Sequence, residues 1–199
     1  MVIVRTSKYS GQREAARSLD AHDRELLKGV VAGDRDAITE LYNLYFPRLF
    51  GFLYRLSRDY CLTEELVNDV MLIVWRDADK FRWSSKVSTW ILGIGYRQCI
   101  KRLRKRRLPL VAKPQAREPQ FDGCEIVELD DVLARALDEL SPEHRMMIES
   151  VLYLGMTYRE VAQIAGCPVN TAKTRVHNAR RHLRVALVRM GYEHGANVG

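Results

Sequence analysis

One stretch constrains the fold of this chain more than any other: Met156-Thr-Tyr-Arg-Glu-Val-Ala-Gln-Ile-Ala-Gly-Cys-Pro-Val-Asn-Thr-Ala-Lys-Thr-Arg-Val-His-Asn-Ala-Arg-Arg-His-Leu-Arg184. Thr157 followed three residues later by Glu160 is a capping box, which opens a helix by satisfying two of its orphan amides. Val161, Ala162, Ile164 and Ala165 give that helix an apolar face. Gly166-Cys167-Pro168 breaks it, and a second helix follows at once. Short helix, Gly-containing turn and longer helix is the grammar of a helix-turn-helix. The second helix carries five basic residues (Lys173, Arg175, Arg180, Arg181, Arg184) and no acidic one between Val169 and Arg184. Asn170, Thr171, Lys173 and Thr174, at its start, are of the kinds that reach base edges or phosphates. A packed helical hairpin with a solvated basic face is the competing account of the same residues.

Upstream, apolar residues recur at helical intervals. Ile38, Leu41, Tyr42, Tyr45, Leu49, Phe52, Leu53 and Leu56 share one face, with Pro47 expected to kink or break the helix. Thr63, followed by Glu64 and Glu65, is a plausible N-cap for a helix that turns Leu66, Val67, Val70, Val74 and Ala78 inward. The loop Phe81-Arg-Trp-Ser-Ser-Lys86 leads to Ser88 or Thr89 and a long helix to Arg107. Three of the six prolines (Pro109, Pro114, Pro119) fall in residues 108–128, which have no periodic pattern. Helical patterning resumes near Leu129, and Ser141-Pro142-Glu143 is a helix start with Ser as cap. No segment alternates with period two. The expected class is all-α: two small helical domains, 23–107 and 129–190, joined by a Pro-containing flexible linker at 108–128. Residues 1–22 and 191–199 are expected to be flexible tails.

In a chain of 199 residues with a formal charge of +7, the position of the charge matters more than its sum. Lys101-Arg-Leu-Arg-Lys-Arg-Arg107 is six basic residues in seven at a helix end, either a solvated terminus or a nucleic-acid contact. Aromatics beside it (Phe81, Trp83, Trp90, Tyr96) suit stacking on unpaired bases. Core packing competes for Trp90, and Trp83, in a polar loop, is the better stacking candidate. The acids Glu64, Glu65 and Asp69 either match the helix dipole or form a docking surface for a basic protein. Cys61, Cys99, Cys124 and Cys167 have no metal-ligand spacing and read as small reduced core residues. No cofactor is expected. No apolar run approaches the roughly 18 residues of a membrane span, and no secretory signal opens the chain, so the expected location is the cytoplasm, without membrane insertion.

With these residues placed, the sequence resembles the extracytoplasmic-function (ECF) group of sigma-70-type sigma factors of bacterial RNA polymerase, over nearly all of residues 23–188. Leu66-Val-Asn-Asp-Val-Met-Leu-Ile-Val-Trp-Arg-Asp-Ala-Asp-Lys-Phe81 with Ser88-Thr-Trp-Ile-Leu92 resembles the family's second conserved region. Leu140-Ser-Pro-Glu-His-Arg145, Gly155–Ala162 and Asn178–Leu183 resemble the fourth. The resemblance implies a non-catalytic specificity subunit that takes core polymerase to promoters. Glu65, Asn68 and Asp69 would dock on the clamp helices of the largest subunit, with the flap as a further contact. Phe81, Trp83, Ser84, Ser85, Lys86, Ser88, Trp90, Arg97, Lys101 and Arg104 would hold the unpaired non-template strand of the −10 element, including a flipped base. Asn170, Thr171, Lys173, Thr174, Arg175, His177, Asn178 and Arg181 would read the −35 duplex in the major groove. The linker would thread towards the RNA exit path, and an anti-sigma protein is an expected partner.

This chain reads Gly95-Tyr96-Arg97 where the family often has Ala-Arg-Asn, and Arg82-Trp83 where Asp and a small residue are common. Ile91-Leu-Gly-Ile94 lacks the paired Trp of housekeeping members. The rival account is a stand-alone helix-turn-helix regulator, which explains residues 141–188 but gives the first domain no purpose. A nucleic-acid-processing enzyme is disfavoured: the sequence shows no carboxylate cluster at metal-binding spacing, no phosphate-cradling loop and no Ser/Cys–His constellation.

Overall fold

Four helices build the first half: α1 (Thr6–Val31), α2 (Arg35–Ser57), α3 (Tyr60–Asp77) and α4 (Val87–Arg106), with one 3-10 turn at Ala78–Lys80. Four more build the second: α5 (Asp131–Asp138), α6 (Pro142–Leu152), α7 (Tyr158–Ala165) and α8 (Val169–Arg189). This computed structural model describes the backbone of residues 6–106 and 131–192, and the side chains of residues 19–105 and 132–192. The linker 108–128 and most of the C-terminal tail lie outside the described residues. Among those described there is no strand, as the sequence leads one to expect.

The helix boundaries depart from expectation at three places, each for a local reason. α1 begins at Thr6 rather than near Asp23, so most of the span expected as a flexible tail is helical. Its second half is docked: Leu26, Leu27 and Val30 are buried, and the buried Asp23 accepts a hydrogen bond from the Tyr45 hydroxyl at 2.6 Å. Once a docked turn has met the cost of nucleation, each further residue adds a hydrogen bond, and the helix extends backwards. α2 runs unbroken through Pro47. Tyr42, Phe46, Phe50 and Tyr54, four residues apart, pack ring to ring along one side of it, the first pair tilted and the next two stacked, with centroids 5.6, 5.8 and 6.1 Å apart, and brace the turn that the proline weakens. α3 starts at Tyr60, not Thr63: the Asp59 carboxylate accepts from the Leu62 amide at 2.9 Å and caps it. Thr63 is buried one turn in, where its hydroxyl donates to the Asp59 carbonyl. Glu64 and Glu65 therefore lie beyond the first turn, where the helix dipole has little hold on them.

The first-half core comprises the inward residues read from the pattern, with Leu41, Leu49, Phe52, Leu53, Leu66, Val67, Val70 and Val74 essentially inaccessible. Gly95 sits where α4 crosses α2: a Cβ there would lie 3.3 Å from the Leu49 methyl and 3.4 Å from that of Leu53. That closeness gives a packing reason for glycine at this position. Cys99 is buried, and burial pushes its thiol up to about 12, the chemistry of an inert core cysteine. Cys61, in contrast, is exposed, which departs from the core expectation.

The two halves pack against each other, α4 on α7 and α2 on α6. Buried charge marks the seam. The Arg55 guanidinium lies 2.6 Å from the fully buried Glu149 carboxylate and stacks on the Tyr153 ring at 4.9 Å. Arg145, also buried, donates to the carbonyls of Leu137 and Arg55 and pairs with Asp138 at 3.0 Å. Arg58 reaches the same Asp138 carboxylate at 2.9 Å. Removing one member of such a pair strands the other charge away from water. Arg55→Leu is expected to cost about 3–5 kcal/mol in urea-unfolding experiments, whereas Arg55→Leu with Glu149→Leu should recover most of it. Equal destabilisation by the single and double variants would count against the pair as the seam's anchor.

Candidate nucleic-acid interface

In the second half, the capping box is present as read. The Thr157 hydroxyl accepts from the Glu160 amide, and the Glu160 carboxylate accepts in return from the Thr157 amide at 2.8 Å. Gly166, at φ +63°, closes α7 in the left-handed conformation. Pro168 is the N-cap of α8 and supplies no side-chain bond, so the first amides of α8 point outward without a cap. Ala172, Val176, Ala179, Leu183 and Ala186 bury one face of α8. Asn170, Lys173, Thr174, His177 and Arg181 are exposed, and helical spacing places them on the opposite face, with Arg184 beside them. Thr171 and Asn178 are half-buried flanking positions. Arg175 departs from the set: it lines a cleft of about 650 Å³ between the halves, together with Tyr96, Arg97, Lys101 and Arg104. A residue expected from the sequence to serve −35 recognition thus shares a wall with three expected to serve the −10 strand.

The loop before α4 is built around aromatic contacts. Phe81 is buried and inward, so its ring is a support rather than a free stacking face. It meets Trp83 and Trp90, each with centroids 5.0 Å away. Trp90 is half-buried against the core, and Trp83 is the exposed member at 39%. Trp83 also adopts φ +58°, a conformation that costs a bulky residue about 1–3 kcal/mol. Ser84 and Lys86 are exposed, while Ser85 and Ser88 are partly so. Lys86 is already engaged, 2.7 Å from Glu160 across the seam, and Arg104 lies 3.5 Å from Glu143.

On α3, Glu65, Asn68 and Asp69 are accessible along one face. Arg102 of α4 reaches Asp69 at 3.0 Å and Glu65 at 3.5 Å, and the Tyr42 hydroxyl donates to Asn68. The same face continues through Leu72 and Trp75, which are 56% and 59% exposed. Neither was named as a docking residue from the sequence, although their phase, out of step with the inward Leu66, Val70 and Val74, already marked them as outward.

Residues 41–108 match the family model for Sigma-70 region 2, and residues 130–183 that for Sigma-70, region 4. The chain is 34% identical over 156 residues to the ECF RNA polymerase sigma factor RpoE of Cereibacter sphaeroides, covering 76% of this chain and 86% of that protein. The chain belongs to the ECF RNA polymerase sigma factors. A second such sigma factor, SigK of Mycobacterium ulcerans, is 30% identical over 172 residues, 81% of this chain and 91% of its own length. The sigma factor RpoE of Bartonella quintana, solved in complex with the anti-sigma factor NepR, superposes with a TM-score of 0.61 at 28% identity, covering 75% of this chain and 96% of that one. CnrH, solved with the cytosolic domain of CnrY, shares the fold (TM-score 0.63, 19% identity, 84% of this chain and 98% of that one). In this sigma factor, α2 to α4 form most of region 2, and α5 to α8 form region 4. No described helix is long and apolar enough to cross a membrane.

Glu160 serves region 4 and the seam at once. Burial alone would raise its carboxyl, but the Lys86 ammonium and the Thr157 amide and hydroxyl outweigh burial and hold it below the ordinary 4.5. A depressed folded-state value means that its stabilising contribution is present above pH 4.5 and is lost as pH falls through the lowered value. Protection of the Thr157 amide in hydrogen exchange is therefore expected to drop on acidification in the parent protein. Glu160→Gln, which keeps the box without the charge, should show a flatter pH profile.

Proposed function

We propose that this chain binds core RNA polymerase through the α3 face and directs initiation at promoters that it contacts twice. The loop 81–86 with α4 takes the unpaired −10 strand, and the outward face of α8 enters the −35 major groove. One observation carries the reading: a single chain holds an acidic–apolar helix face, suited to a protein, beside two separate cationic surfaces, suited to nucleic acid. An operator-binding regulator has no use for the first. On α3, Glu65, Asn68 and Asp69 supply charge and hydrogen bonding, and Leu72 and Trp75 supply apolar area at the centre of the patch. On α8, Lys173 and Thr174 stand near the helix start, where side chains reach base edges. Arg180 and Arg184 lie further along, where phosphates pass.

The seam bears on how the contacts are made. Lys86 and Arg104 reach DNA only after leaving Glu160 and Glu143, so DNA binding competes with these cross-seam ion pairs. Flipping a base costs a few kcal/mol of stacking, and an aromatic surface beside the opened strand returns part of it. An anti-sigma factor, the class to which the NepR found with the Bartonella relative belongs, is the expected inhibitory partner of this chain.

Run-off transcription with purified core polymerase tests the reading. Discrete transcripts that require this chain, and that vanish with Asp69→Arg or Trp75→Ala, are the expected result. No transcripts, together with tight binding of the chain alone to duplex DNA, would favour the stand-alone regulator. On a responsive promoter, Lys173→Ala or Thr174→Ala is expected to shift −35 base preference by about 1–3 kcal/mol. Arg180→Ala or Arg184→Ala should instead weaken binding to all sequences alike and reduce its log–log salt slope by about one unit.

A further inference from the structure

Trp83 presents a contradiction that its own loop does not resolve. Glycine adopts φ +58° without strain, yet this position carries the largest of side chains, partly exposed. Such a conformation persists only where the surroundings over-determine it, and strain of this kind gathers at ligand clamps. The surroundings here come from α1. The Arg24 guanidinium lies over the Trp83 ring, 5.7 Å from its centroid, and donates through Nη2 to the Ser85 carbonyl at 3.1 Å. Asp20, one turn earlier on α1, fixes the same guanidinium through Nε at 2.9 Å. Phe81 meets the indole edge-on from the core side. One arginine therefore holds both the ring and the backbone two residues beyond it.

Beside this clamp a cleft of about 630 Å³ opens between α1 and the loop, lined by Ala21, His22, Arg24, Glu25, Lys28 and Trp83. At its rim, Lys28 pairs with Glu25 at 2.7 Å and the His22 imidazole lies 3.0 Å from Glu40, both at the surface. An exposed pair such as Lys28–Glu25 is worth little and exchanges readily for a phosphate. An aromatic wall with a movable cation at its rim is the chemistry that takes an unpaired nucleotide: the base stacks, and the phosphate meets the rim.

We propose that α1 completes the strand-capturing site, with Arg24 as the positioning residue that presents Trp83 to an unpaired nucleotide seated in the α1–loop cleft. This rests on the promoter-opening reading above and extends the site to a helix outside the region 2 match. Arg24 acts through Trp83 and Ser85 and does not itself contact the base.

The test uses the reconstituted holoenzyme on a promoter mapped by run-off, with 5-iodouracil placed singly along the non-template strand and crosslinked peptides identified by mass spectrometry. A crosslink to Trp83 from one position is expected. Arg24→Ala should reduce it by about fivefold or more, the scale of a lost base–aromatic stack, while crosslinks to α4 and cooperative unfolding persist. Arg24→Lys, which keeps a cation over the ring, should restore part of the crosslink. Strand crosslinks to α4 without any at Trp83, or a Trp83 crosslink indifferent to Arg24→Ala, would overturn the inference while leaving the promoter reading intact. Failure of the run-off step itself would remove the promoter reading and the inference with it.

Discussion

The relation between the two halves depends on a carboxylate with no access to water. Burial pushes the Glu149 carboxyl up against the pull of Arg55, Arg58 and Arg145. Neither of its oxygens has an aligned hydrogen bond among the described residues, so proximity of charge holds it more than directed bonding does. An apolar residue would fill the same volume with less penalty, and ion pairs of this kind seldom add net stability. What they add is selectivity of arrangement, because α6 sits comfortably on α2 only where the guanidinium of Arg55 meets Glu149 and that of Arg145 meets the Arg55 carbonyl. Half a turn of slippage leaves a bare charge in the seam.

Charge is then distributed so that several groups assigned to outside partners already have inside ones. Lys86 sits on Glu160, Arg104 on Glu143, and Arg102 on Glu65 and Asp69. The outward face of α8 is the exception, with Lys173, His177 and Arg181 open to solvent. On the proposed reading, region 4 offers its −35 surface while region 2 keeps part of its −10 surface in hand.

What was legible in the sequence was local. The capping box at Thr157, the Ser141 cap and the left-handed stop at Gly166 are short-range chemistry, and each appears in the structure. The buried faces of α2, α3 and α7 followed from periodicity, which reports the direction of the core. The misplaced start of α3 shows the limit of that reasoning. Asp59 and Thr63 are both good caps, and only the burial of Leu62 decides between them. The rest depended on residues far apart in sequence: Arg24 with Ser85 at a separation of 61, and Arg145 with Arg55 at 90. No local pattern announces such pairs. Trp75 was not singled out from the sequence, although its phase, out of step with Leu66, Val70 and Val74, marked it as outward.

Arg102 has a thermodynamic consequence beyond its geometry. It stands on the basic end of α4 and is held by the two acids of α3 at the face proposed to meet polymerase. Any cationic group that takes over Glu65 and Asp69 must release it, and the released guanidinium joins Lys101 and Arg104 as added positive potential towards DNA. Reciprocity then requires DNA that captures Arg102 to leave the acids freer for a protein. The side chains involved are 44–62% exposed, so the coupling is about 0.2–1 kcal/mol, a factor of a few. Two ligands that never touch would thus each raise the affinity for the other, through one arginine changing hands.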